Sequence, residues 1–198
     1  MTPAIDLDTE LMIAVQHDDS NSFGILLNRN LNMVVQYLAR MVRNRAIAEE
    51  LAQDVFIRVY RSRQTWAPNA RFSTWLYRIM TNVALNHFRD EKRFRNNISL
   101  DVHDATQLRR EAPDHSLLIE DRLVREVTAG QVRRAIRSLP AKQRTAVIMH
   151  KYHDLDYAQI GAILGCSPSA VKALMFRAYE TLRVRLRTLQ PVVLKRAA

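Results

Sequence analysis

"GCSPSAVKALMFRA", Gly165 to Ala178, decides how this chain is read. A glycine that can end one helix is followed by Ser-Pro, a pair that starts another. Ser167 is placed to cap the second helix and Pro168 to be its first residue. At about 100° per residue, Val171, Met175, Ala178 and Leu182 share one side, with Leu174 at its edge. Lys172, Ala173, Phe176, Arg177, Glu180 and Arg183 share the other. A face that meets only water accounts for Lys172 and Arg177 but not for Phe176 between them.

The residues upstream complete a motif. Asp156 is a good N-cap for a helix over Tyr157–Leu164 that buries Ile160, Ile163 and Leu164, with Gly165 as its left-handed end. Before it, Ser138 or Leu139 is expected to cap a helix from Pro140, with Ala146, Val147 and Met149 to Tyr152 as its apolar side. The run "HDLD" ends that helix. Helix, glycine-containing turn and second helix make a helix-turn-helix. Its second helix enters the major groove, N-terminal half toward the base edges. Lys172, Arg177 and Arg183 are then candidates for phosphate or guanine contacts, and Phe176 for a thymine methyl. The small Ser169 and Ala173 let the backbone come close. An ordinary three-helix bundle with one exposed aromatic is the competing reading.

Charge supports a polyanionic partner. The chain has 198 residues, a formal net charge of +10 and a pI ≈ 10.3. Residues 1–27 carry net −5, 28–95 net +8, 96–130 net −3 and 131–198 net +10. Two basic blocks thus flank an acidic segment that contains Pro113 and reads as a linker. With only 4 Gly and 6 Pro, the composition favours helices. The expected fold is all-α: two small helical domains, 1–95 and 131–198, joined by an acidic linker over 96–130. Cys166 is the single cysteine, which excludes an intrachain disulfide and any multi-cysteine zinc site. No apolar run approaches about 18 residues, so no membrane insertion is expected. The N-terminal "MTPAIDLDTE" lacks the order of a signal peptide, and a cytoplasmic protein is expected.

The first basic block carries a second signal. Ala48, Leu51, Ala52, Val55, Phe56 and Val59 form a helical apolar stripe, and Glu49, Glu50, Gln53, Asp54, Arg58 and Arg61 lie on its outer face, which can meet a protein, although pattern alone favours a solvated face. The loop "QTWAPNARFST" follows, with Ser73 or Thr74 as expected cap of a helix through Trp75, Leu76, Ile79, Val83, Leu85 and Phe88. Its polar side holds Arg78, Asn82, Asn86 and Arg89, followed by Lys92, Arg93 and Arg95. Aromatics beside a basic stripe suit single-stranded nucleic acid, whose bases stack on rings while cations track phosphates. The competing reading has Trp75, Tyr77 and Phe88 as core, with Trp75 balanced between the two.

"AEELAQDVFIRVYR", "RFSTWLYRIMTNVALNHFRDEKR" and "LPAKQRTAVIMHKYHDLDYAQIGAILGCSPSAVKALMFRAYETLRVRL" together resemble bacterial sigma factors. The two-domain form, over roughly residues 20–187, is similar to the extracytoplasmic-function class. The resemblance implies that the first domain binds core RNA polymerase through Glu50, Gln53, Asp54, Ile57, Arg58 and Arg61. It implies recognition and melting of the minus-ten promoter element by Asn69, Arg71, Phe72, Trp75, Arg78, Asn82, Asn86, Arg89, Lys92 and Arg93, with the displaced strand held single. It implies that Ser169, Lys172, Ala173, Phe176, Arg177 and Arg183 read duplex at the minus-thirty-five element. The linker is expected to thread toward the active centre and RNA exit path. An anti-sigma factor is an expected partner, and a stress or signal response an expected role. No catalytic residue, cofactor or metal is expected. Leu174 stands where such recognition helices often carry arginine, which bears on the promoter sequence read.

Two other classes compete. A one-component regulator needs a sensor pocket and a dimerisation helix, and the basic, aromatic first half offers neither. A metal-dependent nuclease would draw on His150, His153 and Asp154 of "HKYHD", but no third ligand segment stands out.

Overall fold

The computed structural model describes residues 6–42, 44–68, 71–97 and 119–187. The linker residues 98–118, Asn69, and the side chain of Lys92 lie outside the described residues. Among the described residues there are eight α-helices, one short 3-10 turn and no strand. The helices are α1 (Leu7–Gln16), α2 (Ser20–Val42), α3 (Arg45–Arg61), α4 (Phe72–Asn97), α5 (Ile119–Arg137), α6 (Ala141–Tyr152), α7 (Tyr157–Leu164) and α8 (Pro168–Leu186).

Local chemistry sets the helix starts. Asp6 caps α1 by accepting from the Thr9 amide, and Asn44 caps α3 by accepting from Ala46 and Ile47. Asp156 caps α7 in a reciprocal box: the Gln159 amide donates to its carboxylate, and its own amide donates to the Gln159 side chain. Gly165 takes the left-handed conformation at φ 66°, and Ser167 accepts from Ala170 to open α8 behind Pro168. Two expected caps are corrected. Neither Ser138 nor Leu139 caps α6; Pro140 holds that position, and the Ser138 hydroxyl instead donates back to the Ala135 carbonyl. Helix α4 already begins at Phe72, so Ser73 and Thr74 lie in its first turn. Helix α5 runs through residue 130, so the boundary drawn there from charge falls inside a helix.

Helices α1 to α4 form the first bundle. Its buried centre includes Met12, Leu26, Val34, Leu38, Val55, Leu76 and Met80. Each such side chain stabilises the fold by about 1.5–3 kcal/mol relative to leaving it exposed. The second bundle, α5 to α8, closes over Leu139, Ile148, Met149, Ile160, Val171 and Met175. Gly161 lets α7 pass the turn: a Cβ there would stand 2.6 Å from the Cys166 carbonyl oxygen.

The bundles pack against each other along α2 and α4 on one side and α6 and α7 on the other. The buried Tyr37 hydroxyl is 2.9 Å from that of Thr81, and its ring meets the rings of Tyr77 and His153 edge-on. Tyr77 and His153 share a hydrogen bond. Arg144 donates to the carbonyl of Met41 and lies over the Phe88 ring, and Arg40 lies over Tyr152. Burial, then the nearby Arg137, lower the pKa of Arg144, with Glu91 opposing.

Candidate nucleic-acid interfaces and an apolar groove

Helix α8 presents two sides of different chemistry. Val171, Met175, Ala178 and Leu182 are buried in the second bundle. Lys172, Phe176, Arg177 and Arg183 are exposed, Ala173 is half-buried, and Phe176 is 67% exposed. Arg183 pairs with Glu180 at 2.8 Å, whereas Lys172 and Arg177 form no ion pair among the described residues. At the N-terminal end the hydroxyls of Ser167 and Ser169 are 2.8 Å apart. The helix thus offers two free cations around a bare ring, beside small side chains. That surface suits phosphates and apolar base edges in a groove.

The polar side of α4 forms a second basic surface. Arg78, Asn82, Arg89 and Arg93 are exposed, and Asn86 is half-buried. Arg78 also donates to the carbonyl of Ala162 in α7 at 2.8 Å. At the start of the helix Arg71 is exposed. Phe72 is not a surface residue: it is fully buried, which corrects its expected contact with DNA. Its ring lies 6.3 Å from Trp66 and 5.9 Å from Trp75. Trp75 is half-buried against this pair, while Tyr77 belongs to the core.

A groove of about 900 Å³ runs between α2 and α3. Leu27, Leu31, Val35, Phe56, Ile57 and Tyr60 supply its apolar wall, and Arg45, Glu49, Gln53 and Arg61 its charged and polar rim. Ile57 is 48% exposed. Of the six residues expected to face polymerase, Gln53, Ile57 and Arg61 line the groove. Glu50 is exposed outside it. Asp54 and Arg58 pair with each other at 2.9 Å beside it. Leu27, Leu31 and Val35 were missed by sequence reasoning. Their signal was present: they repeat every four residues, one step beyond the buried Leu26, Asn30, Val34 and Leu38, so α2 is apolar over a wider arc than one core needs.

Residues 26–94 match the family described as Sigma-70 region 2, and residues 129–182 match Sigma-70, region 4. RNA polymerase sigma factor CarQ of Myxococcus xanthus is 34% identical over 170 residues, 86% of this chain and 92% of that protein. The ECF RNA polymerase sigma factor SigW of Bacillus subtilis is 30% identical over 179 residues, 88% of this chain and 94% of that one. The chain belongs to the extracytoplasmic-function class of sigma factors.

Two solved structures share the fold. CnrH, in complex with the cytosolic domain of CnrY, aligns with a TM-score of 0.66 at 20% identity, covering 92% of this chain and 99% of that one. The sigma factor RpoE from Bartonella quintana, in complex with the anti-sigma factor NepR, aligns with a TM-score of 0.61 at 19% identity, covering 83% and 96%. A sigma factor directs RNA polymerase to promoters, so core polymerase and promoter DNA are partners of this protein. Both histidines of "HKYHD" are engaged within the sigma fold: His150 bonds to the Leu155 carbonyl and His153 to Tyr77. Among the described residues no group of three or more His, Cys, Asp or Glu side chains is placed to hold a metal. Among them also, no single helix is long and apolar enough to cross a membrane.

Proposed function

We propose that this sigma factor recognises a two-part promoter and opens it, with a division of labour that follows its surfaces. Residues 131–198 read the duplex at the minus-thirty-five element through the outer face of α8. Ser169 and Ala173 allow close approach, Lys172 and Arg183 meet phosphates, and Phe176 and Arg177 reach base edges. Residues 1–95 hold polymerase and open the minus-ten element. The α2–α3 groove takes an apolar, helical element of the core enzyme, with Gln53, Ile57 and Arg61 at the contact. Arg71, Trp75, Arg78, Asn82, Asn86, Arg89 and Arg93 then face the melted non-template strand, with Asn69 and Lys92 in the same stretch. The acidic segment within 96–130 avoids DNA and occupies a nucleic-acid channel of polymerase.

The observation that carries this reading is the exposed Phe176 between two unpaired cations on a helix whose opposite side is core. Control by an anti-sigma factor belongs to the same proposal. The Bartonella RpoE is described in complex with the anti-sigma factor NepR, and CnrH with the cytosolic domain of CnrY. A cellular stress or signal would then release the protein.

The test is co-purification with bacterial core polymerase, followed by run-off transcription from a genomic promoter library. A defined set of start sites that core alone does not produce supports the reading. DNA binding without association with core would remove the role given to the groove.

A further inference from the structure

Helix α1 ends against the chain that joins α3 to α4. The Gln16 carboxamide donates to two backbone carbonyls there, Arg63 at 2.8 Å and Trp66 at 2.7 Å. Gln64 returns a bond to the Gln16 carbonyl at 2.8 Å, and Arg63 pairs with Asp18 at 2.7 Å. One neutral amide has two N–H donors and can satisfy both carbonyls without burying a charge. Trp66 is pinned in this way and nearly fully buried. Its ring stands 6.3 Å from that of Trp75, tilted by 54°. Trp75 is the one member of the Trp66, Phe72 and Trp75 cluster that is half-open, and it lies one turn before Arg78 on α4. The Trp75 ring thus packs on both Trp66 and Phe72, and Gln16 holds the backbone of Trp66 in place.

We propose that Gln16 is a positioning residue for promoter opening: it fixes Trp66, and Trp66 holds the Trp75 ring in the orientation that receives an unstacked base. This rests on the reading of α4 as the single-strand-facing helix. Stacking depends on the angle of the ring, so a loosened Trp75 discriminates less between bases. The acidic N-terminal helix thereby acts at the DNA-opening step without touching DNA.

The experiment uses holoenzyme reconstituted from the full chain and core polymerase. The promoter carries 2-aminopurine in the minus-ten non-template strand, and each position of that strand is varied through all four bases. Gln16→Leu keeps the bulk and removes both donors. It is expected to slow opening about tenfold, on the scale of two lost neutral hydrogen bonds. It should also flatten the base preference at one position, the same position that Trp75→Phe flattens, with core affinity unchanged. A uniform slowing with the preference profile intact means a merely structural role and overturns the proposal, as does no change at all. If Gln16→Leu fails to fold, Gln16→Asn decides: it keeps the amide but shortens its reach to the two carbonyls. A flattening at the same position supports the proposal, and an unchanged profile overturns it. A wild-type holoenzyme that opens no promoter, or shows no base preference, sinks the underlying reading itself.

Discussion

The Tyr77 hydroxyl lies 2.8 Å from Nδ1 of His153, tying α4 to the end of α6 across 76 residues of chain. Burial is the main cause of a low pKa at His153, pushed down to about 4, with Arg40 adding to the shift and Asp154 opposing it. Burial also raises Tyr77 to about 12, so both partners stay neutral at ordinary pH. The folded state thus binds fewer protons at His153 than the unfolded chain between the ordinary value of 6.5 and about 4. Stability is present above 6.5 and is lost as pH falls through that window. The thermal midpoint should drop across it, and His153→Gln should flatten the curve. An equally steep curve in the variant would assign the loss to other groups.

Arg177→Ala should weaken binding to minus-thirty-five duplex by about 1–3 kcal/mol, the range for a lost base-directed contact. Affinity for core polymerase should not move. Fluorescence anisotropy against duplex and against core, with the same protein preparation, separates the two. Equal losses in both would remove α8 from the reading role.

Within the groove, apolar contact should matter more than the ion pair at its margin. Ile57→Glu buries a charge against polymerase and should reduce core affinity by at least tenfold. Asp54→Ala breaks a solvent-exposed pair with Arg58, worth about 0.3–0.5 kcal/mol to the helix. Its effect on core affinity should be several times smaller. Titration of labelled core would show the order, and the reverse order would move the contact out of the groove.

Gly161→Ala improves helix propensity by about 1 kcal/mol in an ordinary helix. Here the new Cβ would meet the Cys166 carbonyl at 2.6 Å, and that atom is backbone. Overpacking of about 1–3 kcal/mol should prevail, so the variant should unfold at lower denaturant. A more stable alanine variant would show that the turn can shift without loss.

The helix-turn-helix was legible where its signals are local, although Leu164 is only half-buried and Tyr152, expected on the apolar side of α6, is exposed. Asp156 with Gln159, Gly165, and Ser167 with Pro168 each act within four positions, and the four residues assigned to the buried side of α8 are the four found there. The first bundle was legible only where one stripe meets one core. Helix α2 presents two adjacent apolar stripes, one for the core and one for the groove, and periodicity does not separate their purposes. Phe72 was placed at the DNA through the family resemblance. It is buried instead, with its ring 6.3 Å from that of Trp66, which Gln16 holds from 50 residues away. The contacts between the bundles left no local trace: Arg144 meets Met41 across 103 residues.

That separation along the chain is also a separation in time. About 55 residues lie between the end of α4 and the end of α6. At synthesis rates of about 5–20 residues per second, the ribosome takes roughly 3–11 s to supply them. During those seconds the counterparts of Met41, Tyr77 and Phe88 are not yet made, and the first bundle is left to its own contacts. Its sequence-adjacent pairs, α1 with α2 and α2 with α3, are the kind that form without waiting for later chain.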